Sequence, residues 1–367
     1  MKLVLQIVPK LPPQINGLGD YSFMLAKQLR HEFEIETKFI VCDDSSSYRD
    51  ELDGFPVMTV KSRSADAIAT ALSSCLGATV LLHYVGYGYA KRGCPRWLVS
   101  GLASWRQQQA DSSRLITMFH EVYASSKIPW TSSFWLSSVQ KQLAAQLVHL
   151  SNRIFTSNQT MTQLIANLTP EVSSVVKTLP VFSTVGESVA PPGLEKRSRR
   201  LLIFGHRNSR TQVYEQCRTT IEYLCQMLSI EEICDVGKPT GLTLSEFNNV
   251  PVVEKGILEA SEISWLMADS VVGLLNFPPP RFLAKSTVFA AYCAHGVIPC
   301  MARYEVDPID GLRVNQHYWT VDSSEQLLTL GVGQVIADNA YRWYSAHSLS
   351  AQAKSFADNL GLLSQAP

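Results

Sequence analysis

The chain has 367 residues, 46% of them hydrophobic and 17% charged, with 32 Lys and Arg balancing 32 Asp and Glu. That length predicts two domains, and the neutral balance gives no general electrostatic reason to bind nucleic acid, which needs a concentrated basic surface. No apolar run reaches bilayer-spanning length, so the chain is not expected to be integral to a membrane.

From the N-terminus, Leu3-Val4-Leu5-Gln6-Ile7-Val8 reads as a first buried strand, being too short for a signal h-region and lacking a small-residue cleavage site. The stretch QINGLGDYSF (14–23) follows, and its Gly17 and Gly19 let the chain turn sharply into a helix beginning near Asp20. Two readings stand for it: a turn with Asp20 as N-cap, or a loop approaching a ligand or the opposite domain. A third glycine at the fingerprint position is missing and no acidic residue clearly ends the second strand, which disfavours a dehydrogenase.

Runs rich in Val, Ile and Leu at 2–8, 35–41, 56–60, 78–83, 114–119, 153–156 and 175–181 alternate with helical periods at 20–31, 64–76, 95–109, 132–150 and 159–167. This is the pattern of parallel strands covered on both faces by helices. VGESVAPPGLEKRSRR (185–200) has a linker's composition. The alternation then restarts, with strands near 200–204, 231–236, 251–253, 271–275, 297–301 and 317–320. Its helices are expected near 209–228, 259–268, 285–295 and 323–330, with a long terminal one at 334–361. The eight scattered cysteines include no C-x-x-C pair and read as reduced, buried thiols. Asp43-Asp44 reads as a polar strand end, not a D-x-D metal site.

In doubly wound sheets ligands sit beyond the carboxyl ends of the strands. His83 and Tyr84 end one strand, before a loop with Gly86, Gly88 and further tyrosines, and line the acceptor side in this reading. His120 and Glu121 follow another strand. Lys285, Ser286 and Thr287 stand at a helix start where free N–H groups favour a phosphate, and Arg207 and Arg210 follow the strand at 200–204. The alternatives are bland: an N-cap with a solvated lysine, surface arginines and a polar loop. Trp97, Leu98, Gly101, Leu102 and Trp105 share a helical face, and Trp130, Phe134 and Trp135 precede an amphipathic helix. Core packing is the simpler account of these aromatics, contact with a membrane interface the other. Tyr341, Trp343 and Tyr344 are expected to anchor a crossover.

Several stretches together resemble glycosyltransferase family 4, the retaining GT-B enzymes. NGLGDYSFMLAKQL is similar to the family's glycine loop and following helix, and LITMFHEVY (115–123) to its strand ending in His plus an acidic residue. LLIFGHRNSR (201–210) resembles the strand and phosphate-facing loop that open the donor domain. GILEASEISWLMADSVVGLLNF (256–277) and KSTVFAAYCAHGVIPC (285–300) resemble the segments around the donor pocket. The family's two glutamates, which contact the donor sugar and the ribose, are replaced here by Leu283 and Ala291.

The resemblance implies an α/β GT-B fold, two doubly wound Rossmann-like domains facing across a cleft, with the C-terminal helix crossing back to the N-terminal domain. The expected domains are 1–190, with 341–367 packing back onto it, on the acceptor side, and 191–340 binding the donor. It implies a metal-independent, retaining transfer of a hexose from a nucleotide diphosphate sugar to a saccharide or lipid-linked saccharide, in polysaccharide or glycolipid assembly, with no cofactor. Gly17, Gly19, Arg207, Arg210, Lys285, Ser286 and Thr287 would bind donor, and His120 and Glu121 would act near the reacting carbon. Partners would be the nucleotide sugar and its acceptor; the neutral charge speaks against nucleic acid, the reduced thiols point to a cytoplasmic location, and the basic residues beside the tryptophans leave peripheral contact at the inner face of the membrane as the alternative to core packing. Loss of both glutamates motivates a second reading, a non-catalytic GT-B protein serving as a carbohydrate-binding or partner subunit. A nucleotide-sugar epimerase of the same fold is a third.

Overall fold

The computed structural model describes residues 2–14, 16–43, 48–73, 77–109, 113–124, 128–171, 176–277, 280–323 and 327–362. Asp44, Ile15 of the glycine stretch, and parts of the expected elements 64–76, 175–181 and 323–330 lie outside the described residues. Two compact units are present, Met1–Leu179 with Leu349–Pro367, and Pro180–Ser348.

In the first unit the chain runs β1 (Lys2–Val8), α1 (Gly17–Phe33), β2 (Ile35–Val41), β3 (Glu51–Leu52), β4 (Phe55–Thr59), α2 (Ala65–Ser73), β5 (Thr79–Tyr84), α3 (Gly86–Tyr89), α4 (Arg96–Gln108), β6 (Arg114–Phe119), α5 (Ser132–Trp135), α6 (Ser137–Leu150), β7 (Arg153–Thr156), α7 (Gln159–Leu168) and β8 (Val176–Thr178). The sheet order is β3-β4-β2-β1-β5-β6-β7-β8, parallel except for the β3–β4 pair. Ile7 of β1 pairs with Ile40 on one side and Leu82 on the other, and Val4, Leu5, Ile7 and Val8 are fully buried, as an all-parallel centre covered on both faces requires. The chain grows outward from β1 through β2, then reverses to β5. That puts a topological switch point at the carboxyl ends of β1 and β5.

The second unit runs β9 (Ser198–Phe204), α8 (Arg207–Gln216), α9 (Arg218–Met227), β10 (Glu232–Val236), β11 (Glu246–Phe247), β12 (Val250–Gly256), α10 (Ala260–Ala268), β13 (Ser270–Leu275), α11 (Thr287–Ala294), β14 (Ile298–Met301) and α12 (Leu330–Ser345). Its sheet order is β11-β12-β10-β9-β13-β14, parallel apart from β11. The switch point here falls between β9 and β13. The last helix, α13 (Leu349–Leu360), belongs to the first unit.

Several elements differ from the sequence expectation, each for a local reason. The expected helix 334–361 is two helices. α12 buries Ile336, Ala337 and Ala340 in the second unit, while α13 buries Ala353, Phe356 and Ala357 in the first, and an apolar period alone does not reveal a change of partner. In the first unit α13 is held by Phe356 against Phe155 (4.6 Å between rings) and by Lys177 Nζ donating to Ser355 Oγ at 2.9 Å.

Tyr341 and Tyr344 anchor the second unit's own entry segment instead of a crossover. The Tyr344 hydroxyl accepts from Ser183 N–H at 2.8 Å, and Tyr341 donates to the Ser188 carbonyl at 2.9 Å. Trp343 Nε1 donates to the Asp310 carbonyl at 2.8 Å. The linker-like stretch is likewise packed, with Leu194 N–H bonded to Gln334 and the guanidinium of Arg197 buried against the carbonyls of Pro192 and Ser270. The expected helix 209–228 is broken at Cys217. The run 317–320 forms only isolated bridges at Tyr318 and Trp319, and among the described residues of 323–330 Ser323 ends a short 3-10 turn (Val321–Ser323) and α-helix begins only at Leu330, capped by Thr329.

Candidate functional site

At the switch point of the first unit a chain of polar side chains threads the sheet. His83, next to last in β5, pairs with Met118 of β6, and His120 N–H donates to the Tyr84 carbonyl at 2.9 Å. The buried His83 ring has Nε2 2.9 Å from Gln6 Oε1 and Nδ1 3.1 Å from His120 Nε2. A carboxamide oxygen only accepts, so the neutral His83 carries its proton on Nε2 and Nδ1 receives the N–H of His120. Gln6 continues the chain, its Nε2 donating to Thr37 Oγ1 at 3.3 Å. Burial, with the neighbouring His120 second, holds His83 well below the usual histidine range. Tyr21 stands edge-on to His120, 5.0 Å between ring centres, and its hydroxyl donates to Gln352 Oε1 of α13 at 2.6 Å. His120 is thus the half-buried outer end of a directed row that fixes its tautomer.

Not every expected residue joins this row. Tyr84 is buried against Phe119, 5.3 Å between rings, which places it in the core and not on an acceptor surface. Glu121 is half-buried next to His120. Gly17 is exposed, with open space where a Cβ would stand. At Gly19 a Cβ would lie 2.7 Å from the Lys10 carbonyl oxygen, so the close approach of the glycine loop is to its own backbone. Asn16, not Asp20, caps α1: its Oδ1 accepts from the N–H groups of Leu18 and Gly19, both at 3.1 Å. Asp20 sits in the first turn, where burial pushes its carboxyl up to about 6.

The second unit gathers two helix N-termini at its own switch point. α8 starts just beyond β9, and α11 connects β13 to the parallel β14, so both N-termini lie on the carboxyl side of the sheet, where free N–H groups and helix dipoles favour an anion. Gly205 and Gly237 bring the loops together. A Cβ at Gly205 would lie 3.1 Å from the Val288 side chain of α11, and one at Gly237 2.7 Å from the Gly205 carbonyl oxygen. Positive φ angles of 127° and 142° at these two positions favour glycine as well.

Arg207, exposed at the first position of α8, donates from Nε to the Thr240 carbonyl at 3.0 Å and lies over the loop after β10. Ser286 caps α11, its hydroxyl accepting from Phe289 N–H at 3.2 Å, with Thr287 the first helical residue. The half-buried Lys285 has its ammonium 5.3 Å from the Phe282 ring centre.

Arg210, expected on the donor, is 1% exposed and used inside the protein. Its Nε donates to the Gly205 carbonyl at 3.0 Å and its two terminal nitrogens bond Asp235 and the Lys238 carbonyl, while Tyr214 donates to the other Asp235 oxygen at 2.9 Å. It is the clamp of the two loops. Leu283 and Ala291 are buried apolar positions, so no carboxylate stands where the family resemblance places its glutamates.

Sequence reading missed Gln6, Thr37 and Tyr21 in the first unit and Asp235 and Gly237 in the second. Gln6 and Asp235 had a signal: each is a polar residue inside an otherwise apolar strand. Tyr21 and Gln352 had none, being 331 positions apart. Among the described residues no group of three His, Cys, Asp or Glu side chains is gathered as a metal site, and no helix is long and apolar enough to cross a membrane.

No protein-family model matches the sequence, and no curated relative matches it. Solved structures match over the whole chain. The Anabaena protein HepE in complex with UDP and glucose is 12% identical, with 99% of this chain and 100% of that one covered at a TM-score of 0.61. A trehalose-6-phosphate structure from E. coli bound with UDP-2-fluoro glucose is 8% identical, with 99% and 100% covered and a TM-score of 0.64. An alpha-glucosyltransferase in complex with UDP-glucose and DNA is 13% identical, covering 98% and 99% with a TM-score of 0.58. Identities this low carry the architecture and nothing finer. With two mainly parallel sheets, each wound both ways from its first strand, this chain has the GT-B fold.

Proposed function

We propose that this chain is a glycosyltransferase that moves a hexose from a nucleoside diphosphate sugar to a saccharide or lipid-linked saccharide with retention of configuration and without a metal. The observation that carries this reading is the convergence of the α8 and α11 N-termini on the glycine-lined switch point of the second unit, beside Arg207 and Lys285. That arrangement suits a diphosphate, whose growing negative charge must be met by cations and backbone N–H groups. The structurally similar proteins bound to UDP, UDP-glucose or a UDP-glucose analogue support the same ligand class.

In this mechanism the acceptor hydroxyl forms the new bond at the anomeric carbon as the bond to the diphosphate oxygen breaks, and the departing diphosphate takes the hydroxyl proton. Arg207, Lys285 and the N–H groups at Thr287 hold the leaving group. Within the first unit His120, its tautomer set by His83, is assigned to sugar recognition, with Glu121 beside it. The buried Leu283 and Ala291 favour one competing reading, a GT-B protein that binds carbohydrate or a partner without catalysis.

A thermal-shift screen with UDP, GDP, ADP and CMP, with and without EDTA, separates the two. A ligand held only by the folded state raises the melting temperature by mass action. The transferase reading expects one nucleoside diphosphate to stabilise the protein irrespective of EDTA, with Arg207→Ala or Lys285→Ala each weakening its binding roughly tenfold. No shift with any nucleotide would move the assignment to the non-catalytic reading.

A further inference from the structure

Asn276 is the first residue beyond β13, and Gly205 the first beyond β9. These two strands are neighbours: Val272 and Gly273 pair with Leu201 and Leu202, so Asn276 and Gly205, each three positions past the last of these pairs, flank the crevice of the second unit's switch point. The loop at Gly205 is also the one that approaches Val288 of α11. Asn276 is 5% exposed, and its carboxamide is held on one side only. Its Nδ2 donates to Gln216 Oε1, at the end of α8, at 3.0 Å, while its buried Oδ1 has no partner. Among the described residues of the second unit it is the one buried side-chain oxygen or nitrogen so left; the others, on Trp97, Trp105, Gln109 and Arg114, belong to the first unit. An amide oxygen removed from water without a hydrogen bond destabilises a fold, and native structures rarely carry one without a use for it.

We infer that Asn276 is a further ligand-binding residue of this site, its Oδ1 accepting a sugar hydroxyl of the bound nucleotide sugar. The inference rests on the nucleotide-sugar reading of the second unit. Chemistry decides which part of the ligand it meets. A carboxamide oxygen only accepts, and the oxygens of an ionised diphosphate likewise accept, so the phosphates are excluded. The groups that flank the diphosphate and can donate are the hydroxyls of the ribose on one side and of the hexose on the other. Arg207, Lys285 and the N–H groups at Thr287 are all donors, matched to the diphosphate, and the buried Leu283 and Ala291 bring no side-chain acceptor. Asn276 supplies the complementary group, an acceptor that receives a hydroxyl without placing a negative charge near the diphosphate. The bond to Gln216 fixes the plane of the carboxamide before the ligand arrives.

The test sets Asn276→Leu, which keeps the volume and removes the carboxamide, beside the wild type in two measurements on the full chain. Calorimetric titration uses UDP, GDP and ADP, each free and as its glucose conjugate. The variant should bind the conjugate of the accepted base roughly tenfold more weakly. An equal loss for the free diphosphate assigns the hydroxyl to the ribose, and a loss confined to the conjugate assigns it to the hexose. Thermal unfolding without ligand separates binding from a structural role: the variant should melt no lower than the wild type, because it removes an orphaned acceptor and frees only Gln216, which is exposed and met by water. A variant that melts several degrees lower, or that binds conjugate and diphosphate as tightly as the wild type, would overturn the inference alone. A wild type that binds none of these ligands would overturn the nucleotide-sugar reading and the inference with it.

Discussion

Replacing Arg210 by methionine removes the clamp of the second unit's site while keeping most of its volume. The guanidinium is 1% exposed and serves three acceptors: the Gly205 carbonyl, the Asp235 carboxylate and the Lys238 carbonyl. The two carbonyls lie on half-buried and exposed loop residues, where water takes over at modest cost. The Asp235 carboxylate is 1% exposed and keeps only the Tyr214 hydroxyl, so it is the group that sets the penalty. An uncompensated buried charge costs about 3–5 kcal/mol, and at about 2–4 °C per kcal/mol for a unit of this size the melting temperature should fall by about 6–20 °C. The double variant Arg210→Met with Asp235→Leu removes both charges and should recover at least half of the loss, giving a favourable coupling in the double-mutant cycle. Chemical denaturation of the four proteins measures each arm. A loss below about 1 kcal/mol in the single variant, or simple additivity in the double, would refute the clamp.

Gly237→Ala should destabilise the protein by roughly 2–4 kcal/mol and weaken nucleotide binding, because its Cβ meets the Gly205 carbonyl at a φ that side chains avoid; denaturation midpoints and calorimetric titration with UDP check the two effects. His83 gives a pH signature. Its folded pKa lies below the unfolded value of 6.5, so the unfolded chain binds the proton first, and its stabilising contribution is full above pH 6.5 and declines as pH falls. His83→Gln should flatten the stability profile between pH 7 and 5 by up to ~1.4 kcal/mol per pH unit relative to wild type. An unchanged slope would show that another group carries it.

How much was legible beforehand follows from the range of the forces involved. Strands 2–8, 35–41, 114–119 and 153–156 could be read to the residue, because strands covered on both faces are mainly apolar between polar loops, even where single polar residues such as Gln6, Glu36 and Lys38 interrupt them. Two alternating series of such strands already imply two doubly wound sheets; the strand-end rule points to His83, His120 and Arg207, and the helix start to Lys285. Sequence alone did not show which strand-end residues face outward. Arg210 and Arg207 differ by one helical turn, yet one is a buried clamp and the other an exposed cation, a difference set by Asp235 across the sheet. Nor did it show that the glycine at 19 accommodates the Lys10 backbone, or that one apolar period near the C-terminus serves two units in turn. Local propensity and periodicity belong to the chain; the partner that satisfies a buried charge, a ring nitrogen or an apolar stripe is brought in from tens or hundreds of residues away, and only the tertiary structure supplies it.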